Sequence, residues 1–212
     1  STLTVKNGFS VTGREASESA TGEDATATMT LSNNSKVVVN NMNGMGIGHE
    51  AYGIMNIDAT STFETTQSFN ISANGTMNVN GGNVKVVGTL TNNGAVNVTG
   101  NASMNVNTLT GNAINFTNVT IANANIGGAV NAFGTNNFTG ETTIGGILSL
   151  GYGTNPTEQV VVNITGNFNG VNVLIGSSNE HVLNVGNAES EKSTAHFGQI
   201  GAFGDVNIVN AD

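Results

Sequence analysis

The sequence predicts an all-β chain coiled into a parallel β-solenoid, expected to be a right-handed β-helix with short strands and Asn- and Gly-rich corners. Three observations carry that expectation. First, a phrase nearly repeats: NISANGTMNVN from Asn70 returns as NVTGNASMNVN from Asn97, with an upstream echo, NIDATSTF, from Asn56. Second, apolar residues alternate with polar ones at a period of two, which places residues i and i+2 on one face of a strand. Third, Val, Ile and Thr are abundant, 29 Gly interrupt them, and one Pro, Pro156, is present. Disorder comes instead with Pro, high net charge and few β-branched residues.

Along the chain, Ser1-Thr-Leu-Thr-Val5 reads as a first strand. Apolar anchors six apart, separated by a polar turn, then recur at Leu31 and Val37, Ile57 and Phe63, Ile71 and Met77, Leu90 and Val96, and Val98 and Met104. Apolar-x-apolar triplets occupy Val84/Val86, Ile114/Phe116 and Val119/Ile121. They continue at Val160/Val162/Ile164, Val171/Val173/Ile175, Leu183/Val185 and Val206/Ile208. Such strands are about three to five residues long, shorter than the five or six common in hairpin sheets. Asn-Gly between apolar runs is a hairpin signal. Against a meander, the turns are irregular in length, and corners such as Asn101-Ala102 and Asn112-Ala113 lack the favoured Gly.

A solenoid explains repetition without a strict period. Each coil repeats one job, while loops between sides vary, so the echo drifts from 14 to 27 residues. Coils stack at about 4.8 Å. At roughly 20 residues per coil the chain forms about eight to ten coils, a rod of roughly 40–50 Å. Asn and Gly suit the corners because they tolerate left-handed backbone, and Asn side chains can stack into ladders along the axis. Loop excursions are expected near 14–24, 41–53 and 186–196, and with no shift of composition, 1–212 reads as a single domain.

Charge excludes several functions. Only 9% of residues are charged, against about a quarter in typical soluble domains, and the net charge is −9 with five Lys plus Arg. No basic stripe supports a nucleic-acid partner. No apolar run approaches the roughly 20 residues of a membrane-spanning helix, so no membrane insertion is expected. There is no Cys for a disulfide or a thiolate metal site. A start at Ser1 with no initiator Met or apolar leader fits a processed chain or an excised segment.

Catalytic motifs do not emerge, so no catalytic, cofactor-binding or metal residues are assigned and no cofactor is expected. His49-Glu50 is followed by Ala-Tyr-Gly, not by the second His of a zinc helix. Gly44-Met-Gly46-Ile-Gly48 lacks the strand-turn-helix setting of a phosphate cradle and reads as a turn. His49, His181 and His196 form no metal-ligand spacing, and Asp24, Asp58, Asp205 and Asp212 are scattered. Nine Asn-x-Ser/Thr sites scarcely exceed chance in a chain this rich in Asn, Ser and Thr. Thr26-Ala-Thr28-Met-Thr30 does not recur in register as an ice-binding face requires. The competing reading is a polysaccharide-processing β-helix, a lyase or a hydrolase. Hydrolysis wants two carboxylates about 5–10 Å apart, yet residues 67–140 contain no Asp or Glu.

The run 56–125, with NISANGTMNVNGGNVKVVGTLTNNGAVNVTGNASMNVN at its centre, resembles the passengers of bacterial autotransporter and filamentous-haemagglutinin-like surface proteins, as does VVVNITGNFNGVNVLIG from Val160. That resemblance, of composition and cadence, implies a right-handed β-helix exported to the cell surface for adhesion or aggregation. It supplies no functional residues. The expected function is therefore non-enzymatic: a stiff extracellular rod of a microbial surface. It would self-assemble into a filament, sheath or surface layer through its terminal strands, or act in adhesion by contacting a host or cell-surface glycan or protein.

Overall fold

A computed structural model of the chain describes residues 1–13, 25–40, 46–49, 51–121, 123–151, 158–176, 180–186, 194–202 and 204–209. These residues form 21 strands and no helix, and every pairing between named strands is parallel. The chain is a parallel β-solenoid. Successive passes along one side begin at Thr2, Lys36, Thr62, Asn83, Ser103, Ala124, Thr142, Phe168 and Ala195, nine coils in all. At about 4.8 Å per step the rod is roughly 40 Å long. Coil length varies from 18 residues, Ala124 to Thr142, to 34, Thr2 to Lys36, which is why no period is visible in the sequence.

Each side of the rod is a column of stacked strands. The first column holds β1 (Thr2–Val5), β3 (Lys36–Val39), β6 (Thr62–Thr65), the start of β9 (Asn83–Asn92) and the start of β11 (Ser103–Gly111). It continues through β13 (Ala124–Ile126) and the starts of β16 (Thr142–Leu150), β18 (Phe168–Ile175) and β20 (Ala195–Ala202). The second holds Val11, β4 (Gly46–Ile47), β7 (Phe69–Ile71) and the ends of β9 and β11. The third runs from β2 (Ala27–Leu31) through β5 (Gly53–Ile57), β8 (Gly75–Asn80), β10 (Ala95–Asn101), β12 (Ile114–Ile121) and β14 (Val130–Phe133) to the ends of β16, β18 and β20.

The cross-section changes along the axis. The second column shrinks to the Gly127-Gly128 and Gly145-Gly146 corners, where an added Cβ at Gly127, Gly128 or Gly146 would strike the coil beneath: at Gly146 it would lie 2.5 Å from a Gly128 backbone carbon. Meanwhile a fourth column opens where β10 and β12 overrun the corner, and continues as β15 (Thr135–Phe138), β17 (Val161–Ile164), β19 (Val182–Val185) and β21 (Asp205–Ile208). The N-terminal coils therefore use columns one, two and three, and the C-terminal coils use one, three and four.

Strands reach ten residues in β9, longer than the expected three to five. The reason is that β9, β11 and β16 continue hydrogen bonding around a corner, absorbing the bend as a register shift, as between Val106 and Thr108. Within the stretch 41–53, Gly46–Ile47 pair as β4 and Gly53 opens β5; within 186–196, Ala195 and His196 open β20. The excursion expected at 14–24, and residues 41–45, 50 and 187–193 of the other two, lie outside the described residues.

Inward positions of all columns merge into one core. Phe9, Phe63 and Phe69 cluster near the N-terminal end, with Phe63 and Phe69 centroids 4.9 Å apart. Phe116, Phe138, Phe168 and Phe197 stack coil upon coil at 6.2, 5.7 and 5.4 Å. Burying each Phe stabilises by about 1.5–3 kcal/mol, and tilted ring pairs at these distances add about 0.5–1.5 kcal/mol.

Candidate functional site

The outward faces are built on asparagine. In column three, Asn78 Nδ2 donates to Asn56 Oδ1 at 2.9 Å, Asn97 to Asn78 at 3.1 Å, Asn115 to Asn97 at 3.3 Å and Asn131 to Asn115 at 3.2 Å. Beyond Asn131 the register passes to Ser149, Leu174 and Gly201, and this ladder ends. In column four a second ladder takes over. Asn137 donates to Thr120 Oγ1 at 3.4 Å, Asn163 to Asn137 at 2.8 Å, Asn184 to Asn163 at 2.8 Å and Asn207 to Asn184 at 2.9 Å. Every rung has one sense: the later coil donates and the earlier coil accepts.

These ladders were expected of corner residues, but they sit mid-strand. Seven of their nine Asn are the middle residues of the triplets Met55-Asn-Ile57, Met77-Asn-Val79, Val96-Asn-Val98, Ile114-Asn-Phe116, Val162-Asn-Ile164, Leu183-Asn-Val185 and Val206-Asn-Ile208; Asn131 lies between Val130 and Ala132, and Asn137 between Asn136 and Phe138. That recurring middle Asn was the signal available in the sequence. Corner Asn exist as well: Asn33, Asn34 and Asn118 adopt φ of 56°, 59° and 52°. Of the Asn-x-Ser/Thr sites, Asn97, Asn115, Asn137 and Asn163 are ladder members.

Among the described residues, the carboxylates of Asp58 and Glu64 are tied into the stacking of coils. Asp58 sits at the corner between β5 and β6. It accepts from the Asn33 backbone N–H of the coil below at 3.1 Å, and from the N–H and hydroxyl of Thr60 at 3.0 and 2.9 Å. The Ser61 hydroxyl, first, and these donors hold its pKa at about 2. Glu64 lies between Lys36 at 3.0 Å and Lys85 at 3.6 Å, and the Lys36 hydrogen bond leads in lowering its pKa. Lys36 and Lys85 stand in strands, flanking Glu64 across three coils.

The three His do not converge. His49 follows β4, His196 is exposed on β20, and His181 is fully buried before β19. His181 Nδ1 accepts the Val160 backbone N–H at 3.0 Å, which assigns the ring proton to Nε2, a buried atom without a hydrogen-bond partner. Burial lowers the His181 pKa. Among the described residues no three His, Asp or Glu gather as a metal site. Of the Gly44–Gly48 run, Gly46–Gly48 are described. Gly46 lies in β4, where an added Cβ would stand 1.8 Å from Asn70 O, so Gly is required by the passing backbone.

An open groove of about 410 Å³ lies on column one, lined by Glu141, Thr143, Asn167, Asn169, Thr194 and His196. A second of about 340 Å³ adjoins it at Glu141 and Thr143. Glu141 is the one carboxylate in either lining, and the Asn167 amide donates to it. The two-carboxylate arrangement of glycoside hydrolysis is not assembled by these described residues. No known protein family, curated protein or solved structure matches the chain.

Proposed function

We propose that the chain is a non-enzymatic structural or adhesive rod of a microbial cell surface, working outside the cell in the manner of autotransporter and filamentous-haemagglutinin-like β-helical passengers. The observation that carries this reading is the pair of Asn ladders, which follow the axis from Asn56 to Asn207 and hand over between columns where the cross-section changes. Such a chain spends its polar side chains on bracing coil to coil, and a core without interruption stiffens the same axis. Few charges on the faces suit a body whose contacts are made by hydrogen bonding and shape, to a glycan, to a surface protein or to its own kind.

Electron microscopy of the purified chain at micromolar concentration tests the rod. Filaments or sheets support the structural version, and isolated short rods that retain glycans on an array support the adhesive one. Compact round particles overturn the reading. Release of new reducing or unsaturated ends from polysaccharides incubated with the chain would overturn its non-enzymatic part and favour catalysis in the Glu141 groove.

A further inference from the structure

The two ends of the solenoid expose core positions. Among the described residues β1 and β2 pair on one side only, with β3 and β5, and β20 and β21 pair only with β18 and β19. Leu3, in register with buried Val37, is 50% exposed; Ile208, in register with buried Val185, is 66% exposed; Ile200, in register with buried Val173, is 37% exposed. All three have inward-facing registers and lack only a further coil. An edge of this kind takes another parallel strand.

We infer that a second copy of this chain supplies that coil, head to tail and advanced by one column, so that β2 of one copy lies on β21 of the other; this rests on the rod reading above. The column shift follows from the change in cross-section. At the N-terminal end the chain turns through columns one, two and three, and at the C-terminal end through one, three and four. Column three is thus the last side of the triangle at one end and the middle side at the other. Stacking like on like can match column one or column three, not both. Advancing by one places column one on one, two on three, and three on four, and all sides pair.

The ladders select this register. Asn207 is the last rung of column four, and its Oδ1 stands where every earlier rung accepts. With β2 above β21, Thr30 falls over Asn207, and Asn56 lies one coil beyond Thr30. The ladder then runs Asn184, Asn207, Thr30, Asn56 without a break. Both kinds of rung have precedents within the chain: Thr120 follows Asn101 and precedes Asn137 in register, and the Thr99 hydroxyl donates to Asn80 Oδ1 at 3.1 Å. Inside, Val206 and Ile208 meet Met29 and Leu31, which share their inward orientation. Of the two other rotations, one places β1 on β21, bringing Thr4 over Asn207; beyond Thr4 comes Val38, and no ladder follows. The second places on β21 the column-two side, which in the first coil pairs through Val11 alone, a bridge in place of a strand.

Because the chain contains no Cys, paired cysteines report the register directly. Neighbouring parallel strands stand at about 4.8 Å, inside the Cα separation of about 4.4–6.8 Å that a disulfide accepts. Thr30 and Asn207 lie at opposite ends of one rod, so a bond between them must join two copies. The chain carrying Thr30→Cys with Asn207→Cys is expected to give a series of covalent multimers on mild oxidation, reversed by reductant. Chains with Thr4→Cys and Asn207→Cys, or Thr30→Cys and Gly201→Cys, are expected to stay monomeric. Cross-linking through either of these instead overturns the column shift. Monomer from all three, with intact rods and β circular dichroism, overturns self-stacking and leaves the edges to another occupant, such as further coils of a longer chain, while the rod reading stands. Loss of rods in the unsubstituted chain would sink the rod reading itself. Lysines at Val206 and Ile208 are a poorer test, since both positions face inward and would also break the last coil.

Discussion

His181 is the residue whose chemistry is least expected of a structural rod. It is buried, accepts a backbone N–H and holds its proton on Nε2 beside Gly151, where an added Cβ would lie 2.2 Å from Nε2. Protonating Nδ1 would abolish the Val160 bond and leave a buried cation. Its pKa in the folded chain is below the ordinary 6.5, so below about pH 6.5 the unfolded chain binds the proton first. Stability should be full above that pH and fall as pH drops towards the folded value, by at most about 1.4 kcal/mol per unit. Glu158, Glu180 and Asp205 are the charged residues nearest it along the turns and in the following coil. Denaturant titrations across this range check the slope, and His181→Asn, which keeps an acceptor near Val160, should flatten it. Asp58 contributes in a separate window, since its stabilisation is lost only as pH falls from 3.8 towards 2.

At the scale of elements, the ladder is the unit to test. Asn97→Ala removes two rungs at once, leaving Asn78 Oδ1 and Asn115 Nδ2 to find water. The loss should be about 1–2 kcal/mol by chemical denaturation, whereas Asn93→Ala, at an exposed corner earlier in the same coil, should cost under about 0.5 kcal/mol. Equal effects would mean that the rungs contribute no more than any surface amide. Much of this element structure was legible. The triplets named the strands, the six-residue spacing named the corners, and the flanking Val, Ile and Met named the core, with Val171, 49% exposed, as an exception. The ladder role of the middle Asn was spelled in the same triplets, but an outward polar residue between two apolar ones is also what any half-buried strand shows. Only the stacking of Asn78 between Asn56 and Asn97 separates the two cases.

For the whole molecule, the arrangement is one-dimensional: each coil touches the coil below and the coil above. The end coils have one neighbour and exposed core positions, while those around Asn97 and Asn115 have two. Amide hydrogen exchange should therefore be slowest in β8, β10 and β12 and fastest in β1 and β21. If stacking of copies operates, raising the protein concentration should slow exchange in β2 and β21 and leave β10 unchanged. A flat profile from end to end would contradict a solenoid whose ends are open.

The alternation of apolar and polar residues, the left-handed corners and the approximate number of coils are properties of short stretches, and the sequence by itself determined them. Side-chain period depends on local backbone geometry, and Asn or Gly at a corner answers to its own φ. Which coil lies on which was decided by the tertiary structure, because parallel pairing joins residues 16 to 34 positions apart through loops of unequal length. The exchange of column two for column four, the passing of the ladder from Asn131 to Asn137 and the burial of His181 all arise from that stacking. No local pattern encodes them, since each depends on what the neighbouring coil places directly above or below.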